Sequence, residues 1–385
     1  GMTPEVIDYL VVTSQRSYGS RTTGFSANLA GDLFSLPAGI AGFALGVEHR
    51  EESGFEQPDQ LTSSGYTSGN ASGPTRGSYR VDEVYAELSL PLLSGLAGIQ
   101  ELELSLAGRY SDYSNFGDTT NGKFGLRWKP TDDVLVRASF SEGFRAPTIS
   151  NLYAVGSQSY DFYTDPCDSR APGGVPASCT AAGVPSTFIP KNAAGNNLPR
   201  GGQTPFPFRA GGNEGLKPES SSSKTLGLVY SPAAIAGLNV SVDWYNIRIE
   251  NLIVNDTATY ILNQCYLAGA TEWCDRFERE TDPDSPYYGQ VISLDRSLSN
   301  RGWVETEGYD VLVRYQLPDL GFGAMSVTWD TNYLVKHESQ SQAGAIVEQD
   351  VGWAPMSRVK SNLNFGWRLG DFGATWGMRY HSGLK

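Results

Sequence analysis

The sequence predicts an all-β protein, an antiparallel transmembrane β-barrel, on three observations. Apolar and polar residues alternate through many segments. Those segments commonly reach about ten residues or more, whereas strands of soluble sheets average about five or six. The connections between them alternate between short turns and long polar loops, as in barrels whose turns lie on one side of a membrane and whose loops lie on the other.

Period-two alternation marks a strand with one apolar face. In 101–110, Leu102, Leu104 and Leu106 oppose Glu101, Glu103, Ser105 and Arg109. In 239–245, Val240, Val242 and Trp244 oppose Asn239, Ser241, Asp243 and Tyr245. In 309–317, Tyr309, Val311, Val313, Tyr315 and Leu317 oppose Asp310, Arg314 and Gln316. Segments 325–333 and 362–369 repeat the pattern, with Met325, Val327, Trp329 and Tyr333, then Leu363, Phe365, Trp367 and Leu369. A soluble sandwich also alternates, with its apolar face inside. Strand length favours the membrane, as do Tyr110, Trp128, Phe140, Trp329 and Tyr333 toward strand ends, where interfacial girdles lie.

Short turns are expected at 129–133 (KPTDD), 231–237, 318–321 and 370–371, with somewhat longer ones near 35–39 and 92–99. Long connections are expected at 51–77, 111–122, 143–216, 251–301 and 337–354. About thirteen spanning strands result. Bacterial single-chain barrels have an even number, so this sheet is not expected to close by itself. Residues 1–10 lack the basic start and apolar core of a signal peptide, and 372–381 leads to a polar tail without a return strand. Both ends are therefore expected to be cut from a longer protein.

Composition agrees. The 385 residues include 44 glycines and 11% aromatics, a mix suited to many strands and turns. Mean hydropathy is −0.31, and no run approaches the ~18–20 apolar residues of a membrane helix. The net charge of −13 and the lack of a Lys/Arg cluster argue against nucleic acid as a partner. The four cysteines form two local pairs in Gly/Pro/Asp-rich loops, Cys167 with Cys179 and Cys265 with Cys274. An even count there suggests disulfides in an oxidising compartment. Three connectivities are open and the two local bonds are preferred; free thiols and zinc are the rivals, though zinc lacks close CxxC spacing and a nearby histidine.

Two segments carry a family resemblance. FSEGFRAPT at 140–148 ends a strand that follows the KPTDD turn, and NEGLKPE at 213–219 opens the next long strand. A strand ending in S-x-G-F-R-A-P, a long loop, then N-x-x-L-K-P-E and a strand, resembles the barrel of TonB-dependent outer-membrane receptors over roughly residues 31–385. The matching positions are Phe144, Arg145, Ala146 and Pro147, then Leu216, Lys217, Pro218 and Glu219. Their physical reading is structural. Pro147 lacks a donor N–H and ends sheet pairing. Arg145 is expected at the outer rim, tied to a carboxylate or to loop carbonyls, and Pro218 marks where the next strand begins.

The resemblance implies a barrel of about 22 strands, a plug domain inside it, and a preceding segment that pairs with TonB. No plug-like stretch precedes the first strand here, so residues 1–385 are expected to be a partial barrel domain without the plug. It further implies a place in the outer membrane of a Gram-negative bacterium, with lipid as a partner. The ligand, an iron–siderophore, another small complex or an oligosaccharide, would be taken up actively through the TonB complex acting on the plug. Catalytic residues, cofactors and a resident metal are not implied. The expected contact surfaces are the two longest loops. Residues 143–216 carry Tyr160, Phe162, Tyr163 and Arg170; residues 251–301 carry Tyr260, Tyr266, Trp273, Tyr287 and Tyr288. Exposed aromatics stack on sugars or aromatic siderophores; the plainer reading is that these rings pack the loops on each other. Segment 265–280 reads as a short amphipathic helix clipped at its start by a disulfide.

Enzyme readings do poorly, for no GxSxG, HExxH, P-loop or dinucleotide fingerprint occurs. Asp282 and Asp284 lack the glycine and distal glutamate of a calcium loop. Two rivals to active uptake are weighed: a passive outer-membrane channel, which would lack the FRAP and LKPE segments, and a soluble secreted β protein that binds carbohydrate, which should show short strands and short loops at both ends.

Overall fold

The computed structural model describes every residue except 319, 343 and 344. Twelve long strands form one antiparallel sheet in chain order. They are β1 (Arg16–Leu36), β2 (Gly39–Pro58), β3 (Thr75–Leu96), β4 (Ile99–Tyr113), β5 (Gly117–Thr131), β6 (Val134–Arg145), β7 (Glu219–Tyr230), β8 (Leu238–Glu250), β9 (Trp303–Gln316), β10 (Ala324–Gln340), β11 (Val359–Leu369) and β12 (Phe372–His381). A thirteenth, Glu348–Gln349, pairs only with the outer end of β10. The sheet thus has the thirteen strands expected, twelve of them long, and it is open as expected: among the described residues, β1 and β12 each pair on one side only.

Antiparallel partners share a face, so the register shows what each face offers. Ala27, Val47, Val84 and Tyr110 form one row across β1–β4. Phe43, Leu88, Leu106, Phe124 and Phe140 form another across β2–β6. Trp244, Tyr309 and Tyr333 cross β8–β10, and Val327, Phe365 and Trp376 cross β10–β12. This face is continuously apolar, yet Leu45, Val84, Leu226, Trp329 and Trp376 on it stay exposed. Such a surface fits hydrocarbon rather than water. The opposite face is polar: Arg137 grips Asp243 with two hydrogen bonds of 2.8 and 2.7 Å, and Asn332 donates to Asp310.

Connections segregate by end. Tight turns at 37–38, 97–98, 132–133 and 370–371, with 231–237 and 317–323, lie at one end. Within the expected 318–321 turn, residue 319 lies outside the described residues, as do 343 and 344 in the expected 337–354 loop. The turns near 35–39 and 92–99 are shorter than expected, because β1 runs on past a bulge between Asp32 and Ser35 to Leu36, and β3 past one between Pro91 and Leu93 to Leu96. At the other end lie 59–74, 114–116, 146–218, 251–302 and 341–358. The expected long loop at 111–122 is not one, since Ser111, Asp112 and Tyr113 pair with Thr119, Asp118 and Gly117. Loss of the apolar face marks where a strand leaves hydrocarbon, not where its hydrogen bonding stops.

Candidate functional site

The family motif forms a joint at the rim. Arg145 and Glu219 are register partners at the outer ends of β6 and β7. Arg145 Nε and Nη2 donate to the two Glu219 oxygens, both at 2.6 Å, and Glu219 Oε1 also accepts from the Ile253 backbone N–H at 2.8 Å. The bidentate fork fixes orientation as well as charge. Beside it, Asn300 accepts from the Lys217 N–H and donates to the carbonyls of Lys217 and Asn251. Pro147 and Leu216 are buried, Pro218 and Ala146 are half-buried, and Phe144 meets Tyr113 edge-on at 5.8 Å. Thus both long loops are tied together where they leave the sheet.

From this joint the chain crosses to β3. Thr148 caps the short helix Ile149–Tyr153 through a reciprocal capping box with Asn151. Tyr153 then fills the space above Gly77, where a Cβ would lie 2.0 Å from the ring, and Ile149 lies above Gly54. Gly54 and Gly77 are cross-strand partners on the polar face, and together they form a notch that is tight at Gly77 and looser at Gly54, where a Cβ would lie 3.3 Å from Ile149. Bridges Thr75–Ala154 and Ser72–Ser157, with Gln158 and Ala71 hydrogen-bonded to each other, complete the strap.

Beyond the strap, loops 146–218 and 251–302 fold onto one another as a cap. Its core joins Tyr163, Cys167, Cys179, Val184, Phe188 and Phe208 of the first loop to Ala258, Ile261, Leu262, Cys265, Tyr266, Val291 and Leu294 of the second. Both local cysteine pairs, Cys167–Cys179 and Cys265–Cys274, are disulfides. At the centre, buried Arg279 of the second loop grips Asp165 of the first through Nη1 and Nη2, both at 2.9 Å, and donates to Tyr266 Oη and the Gly289 carbonyl. Burial works against its charge, but the Asp165 carboxylate outweighs it and holds the guanidinium pKa above its ordinary value. Burial pushes the Tyr163 phenol up, and its hydroxyl has no partner among the described residues. Burial also pushes the Asp168 carboxyl up, yet hydrogen bonds from Arg170 prevail and leave it below the ordinary carboxylate range.

The expected helix at 265–280 is displaced. The helix spans Ala258–Tyr266 behind a Thr257 N-cap, and the second disulfide ties its last turn, not its first, to a 3₁₀ turn at Thr271–Arg276. Gly269, at φ 71°, reverses the chain between them.

The aromatic residues divide by use. Tyr163 and Tyr266 belong to the cap's core, and Trp273 packs against it. Tyr287 donates to Ala193 O and Tyr288 to Gly183 O, joining the second loop to the first. Tyr160 and Phe162 keep exposed rings. Sequence reading missed the hub at Asp256. This fully buried carboxylate meets Arg276 Nη1 at 2.5 Å, Arg301 Nε at 2.6 Å and Ser299 Oγ at 3.0 Å. Arg301 stacks 3.9 Å over Tyr260 and reaches Gln342 of the next loop. No local pattern announces it, because its members come together only through the loop fold.

An open sheet with one continuous apolar face, short turns at one end and long loops at the other is the architecture of part of a membrane β-barrel. The chain belongs to the TonB-dependent receptor family, whose β-barrel description, TonB dependent receptor-like, beta-barrel, matches residues 4–384. It is a family of receptors and transporters, not enzymes. Similar solved structures include a variant of the ferric enterobactin receptor of Pseudomonas aeruginosa, at TM-score 0.58 and 15% identity over 94% of this chain and 41% of that one. The siderophore receptor PirA of Acinetobacter baumannii aligns at TM-score 0.55 and 14% identity over 96% of this chain and 44% of that one. PirA of Pseudomonas aeruginosa aligns at 0.50 and 15% over 94% and 50%. The chain thus spans half or less of these relatives' length. No curated protein sequence matches it.

Proposed function

We propose that the protein serves in the outer membrane of a Gram-negative bacterium as a receptor for TonB-dependent uptake of a scarce small ligand of the iron–siderophore kind. The observation that carries this reading is the cap. Two long loops share one core and are fastened to the rim at Arg145 and Glu219, within the family motif. Such a cap offers a fixed surface at the barrel mouth rather than two loose loops. Tyr160 and Phe162 are the rings free to meet a ligand; Tyr163, Tyr266, Trp273, Tyr287 and Tyr288 serve the cap's own packing. Energy is assigned to the TonB complex acting through a plug, as the family resemblance implies.

The test is uptake of radioactive iron, by cells with and without the gene, from a panel of ferric siderophores under iron limitation. Loss of one complex's uptake in the deletion, restored by the gene only when TonB is present, is expected. Undiminished uptake of every complex, with none bound by the purified receptor, would remove siderophores as the ligand class.

A further inference from the structure

We infer that the wall of the sheet carries a lateral binding site for a long-chain fatty acid, its carboxylate on the polar face and its tail on the apolar one; the inference rests on the membrane-barrel reading above. The site begins with a break in the sheet. β4 and β5 pair up to Tyr113 and Gly117, and β6 and β7 up to Arg145 and Glu219. Between them, β5 and β6 pair only as far as Lys123 and Ser141. Residues 117–122 therefore have no ladder partner on their β6 side. The break starts within the apolar band, for Gly122 lies in one row with Leu45, Ala86 and Gly108, below Val47, Val84 and Tyr110. A ladder that opens at hydrocarbon depth must find polar partners elsewhere. One is Glu142, whose Oε2 accepts from the Gly122 N–H at 3.1 Å across the gap. Higher up, the Phe144 ring reaches Tyr113 over the same gap.

A cavity lies on each side of the break. On the apolar face, about 420 Å³ lies over Gly108 and Gly122, walled by Leu106, Phe124 and Phe140. No side chain of the sheet fills it: a Cβ at Gly108 would meet nothing within 4 Å, and one at Gly122 only Glu142, at 3.5 Å. On the polar face, about 480 Å³ is lined by Tyr85, Arg109, Asn121 and Lys123. The two cavities share Gly108, Gly122 and Lys123.

The polar cavity offers donors. Arg109 Nε, Asn121 Nδ2 and the Thr119 hydroxyl are buried without a partner among the described residues. Arg109 Nη2 already lies between Glu48 and Glu83. Lys123 has neither an ion pair nor a hydrogen bond among the described residues, and Ala107 stands between it and Glu87 in their shared row. The free charge at the gap is thus positive. Such an array suits an acceptor-rich anion, and the adjoining groove suits a hydrocarbon chain. A carboxylate on one chain supplies both. A two-chain phospholipid does not suit a gap that a single glutamate side chain spans.

The test uses the full-length receptor, purified in a non-ionic detergent, and palmitate carrying a photoreactive diazirine either beside the carboxylate or near the methyl end. Labelled peptides are mapped by mass spectrometry, and affinity is read by competition with unlabelled palmitate. Heat-modifiable migration reports barrel folding separately, so failure of the barrel reading shows as loss of that band in every protein. The carboxyl-end probe should label Asn121 and Lys123 and their neighbours, and the methyl-end probe the outer face around Leu106, Phe124 and Phe140. Gly108→Leu, which fills the groove, should stay folded and bind about ten-fold or more weakly. Lys123→Gln should lose at least about ten-fold, while Lys360→Gln, on the polar face of β11, should lose nothing. Methyl-end labelling spread evenly round the outer face, as for bulk lipid, overturns the proposal. So does equal competition by methyl palmitate, or wild-type affinity in both Gly108→Leu and Lys123→Gln. Equal competition by lysophosphatidylglycerol would overturn the fatty-acid assignment.

Discussion

At the residue scale, two ion pairs do different work. Arg279 and Asp165 are both buried, their side chains 8% and 0% exposed, and each charge depends on the other. Asp165→Ala should therefore destabilise the cap by about 3–5 kcal/mol, because it strands a buried guanidinium. Replacing both, as Asp165→Leu/Arg279→Met, should recover most of that loss; trypsin cleavage within 146–218 reads both. The rim pair is half in water, for Arg145 is 52% exposed. Glu219→Gln should cost less there, about 1–3 kcal/mol, and Arg145→Lys should not preserve the joint because the fork is lost. Asp168 adds a pH dependence. Its folded pKa is depressed, so its contribution is present above the unfolded carboxylate value of about 3.9 and is lost as pH falls through the folded one. The near-ultraviolet circular dichroism of the cap should hold from neutral pH to about pH 4 and decline below it. In Asp168→Asn that acid step should shrink; an unchanged acid profile would exclude the carboxylate as its source.

At the element scale, the strap and the disulfides decide whether the cap is a unit. A side chain at Gly77 would meet the Tyr153 ring at 2.0 Å, so Gly77→Val should lift the helix Ile149–Tyr153 from β3 while the sheet persists. A cysteine pair placed at Ser72 and Ser157, which bridge in the strap, should cross-link readily in the parent and poorly with Gly77→Val. Reduction should act further out. The bonds close segments of 12 and 9 residues, each stabilising by about 3 kcal/mol on loop-entropy grounds. Reducing agent should open trypsin sites at Arg170 and Arg276 without releasing strands. These elements also show what a sequence can tell. Alternation placed β4 and β8–β11 because one face of each meets an apolar medium, and the motif placed the rim. The loop interior was not legible: nothing local in Asp165 or Arg279 distinguishes a core pair from two solvated charges, and Gly54 and Gly77 look like ordinary loop glycines until register sets them side by side.

At the scale of the whole molecule, the question is what solvent the sheet's apolar face meets. The cap carries the buried core, while the sheet's apolar rows remain open, so the two halves of the structure are stabilised by different surroundings. Seven of the eight tryptophans sample one or the other. Trp128, Trp244, Trp329, Trp367 and Trp376 lie on the apolar face by register, whereas Trp273 sits in the cap and Trp353 in loop 341–358. In vesicles whose acyl chains carry bromine, quenching should fall on the first group and spare the second. Trp376→Phe and Trp329→Phe should each remove quenchable emission, and Trp273→Phe should remove only emission that bromine does not reach. A soluble sandwich would bury the same five rings against protein and give no quenching from any depth. The experiment therefore separates membrane barrel from soluble β protein without knowledge of the ligand, and emission from Trp329 and Trp376 quenched no more than that of Trp273 would favour the soluble fold.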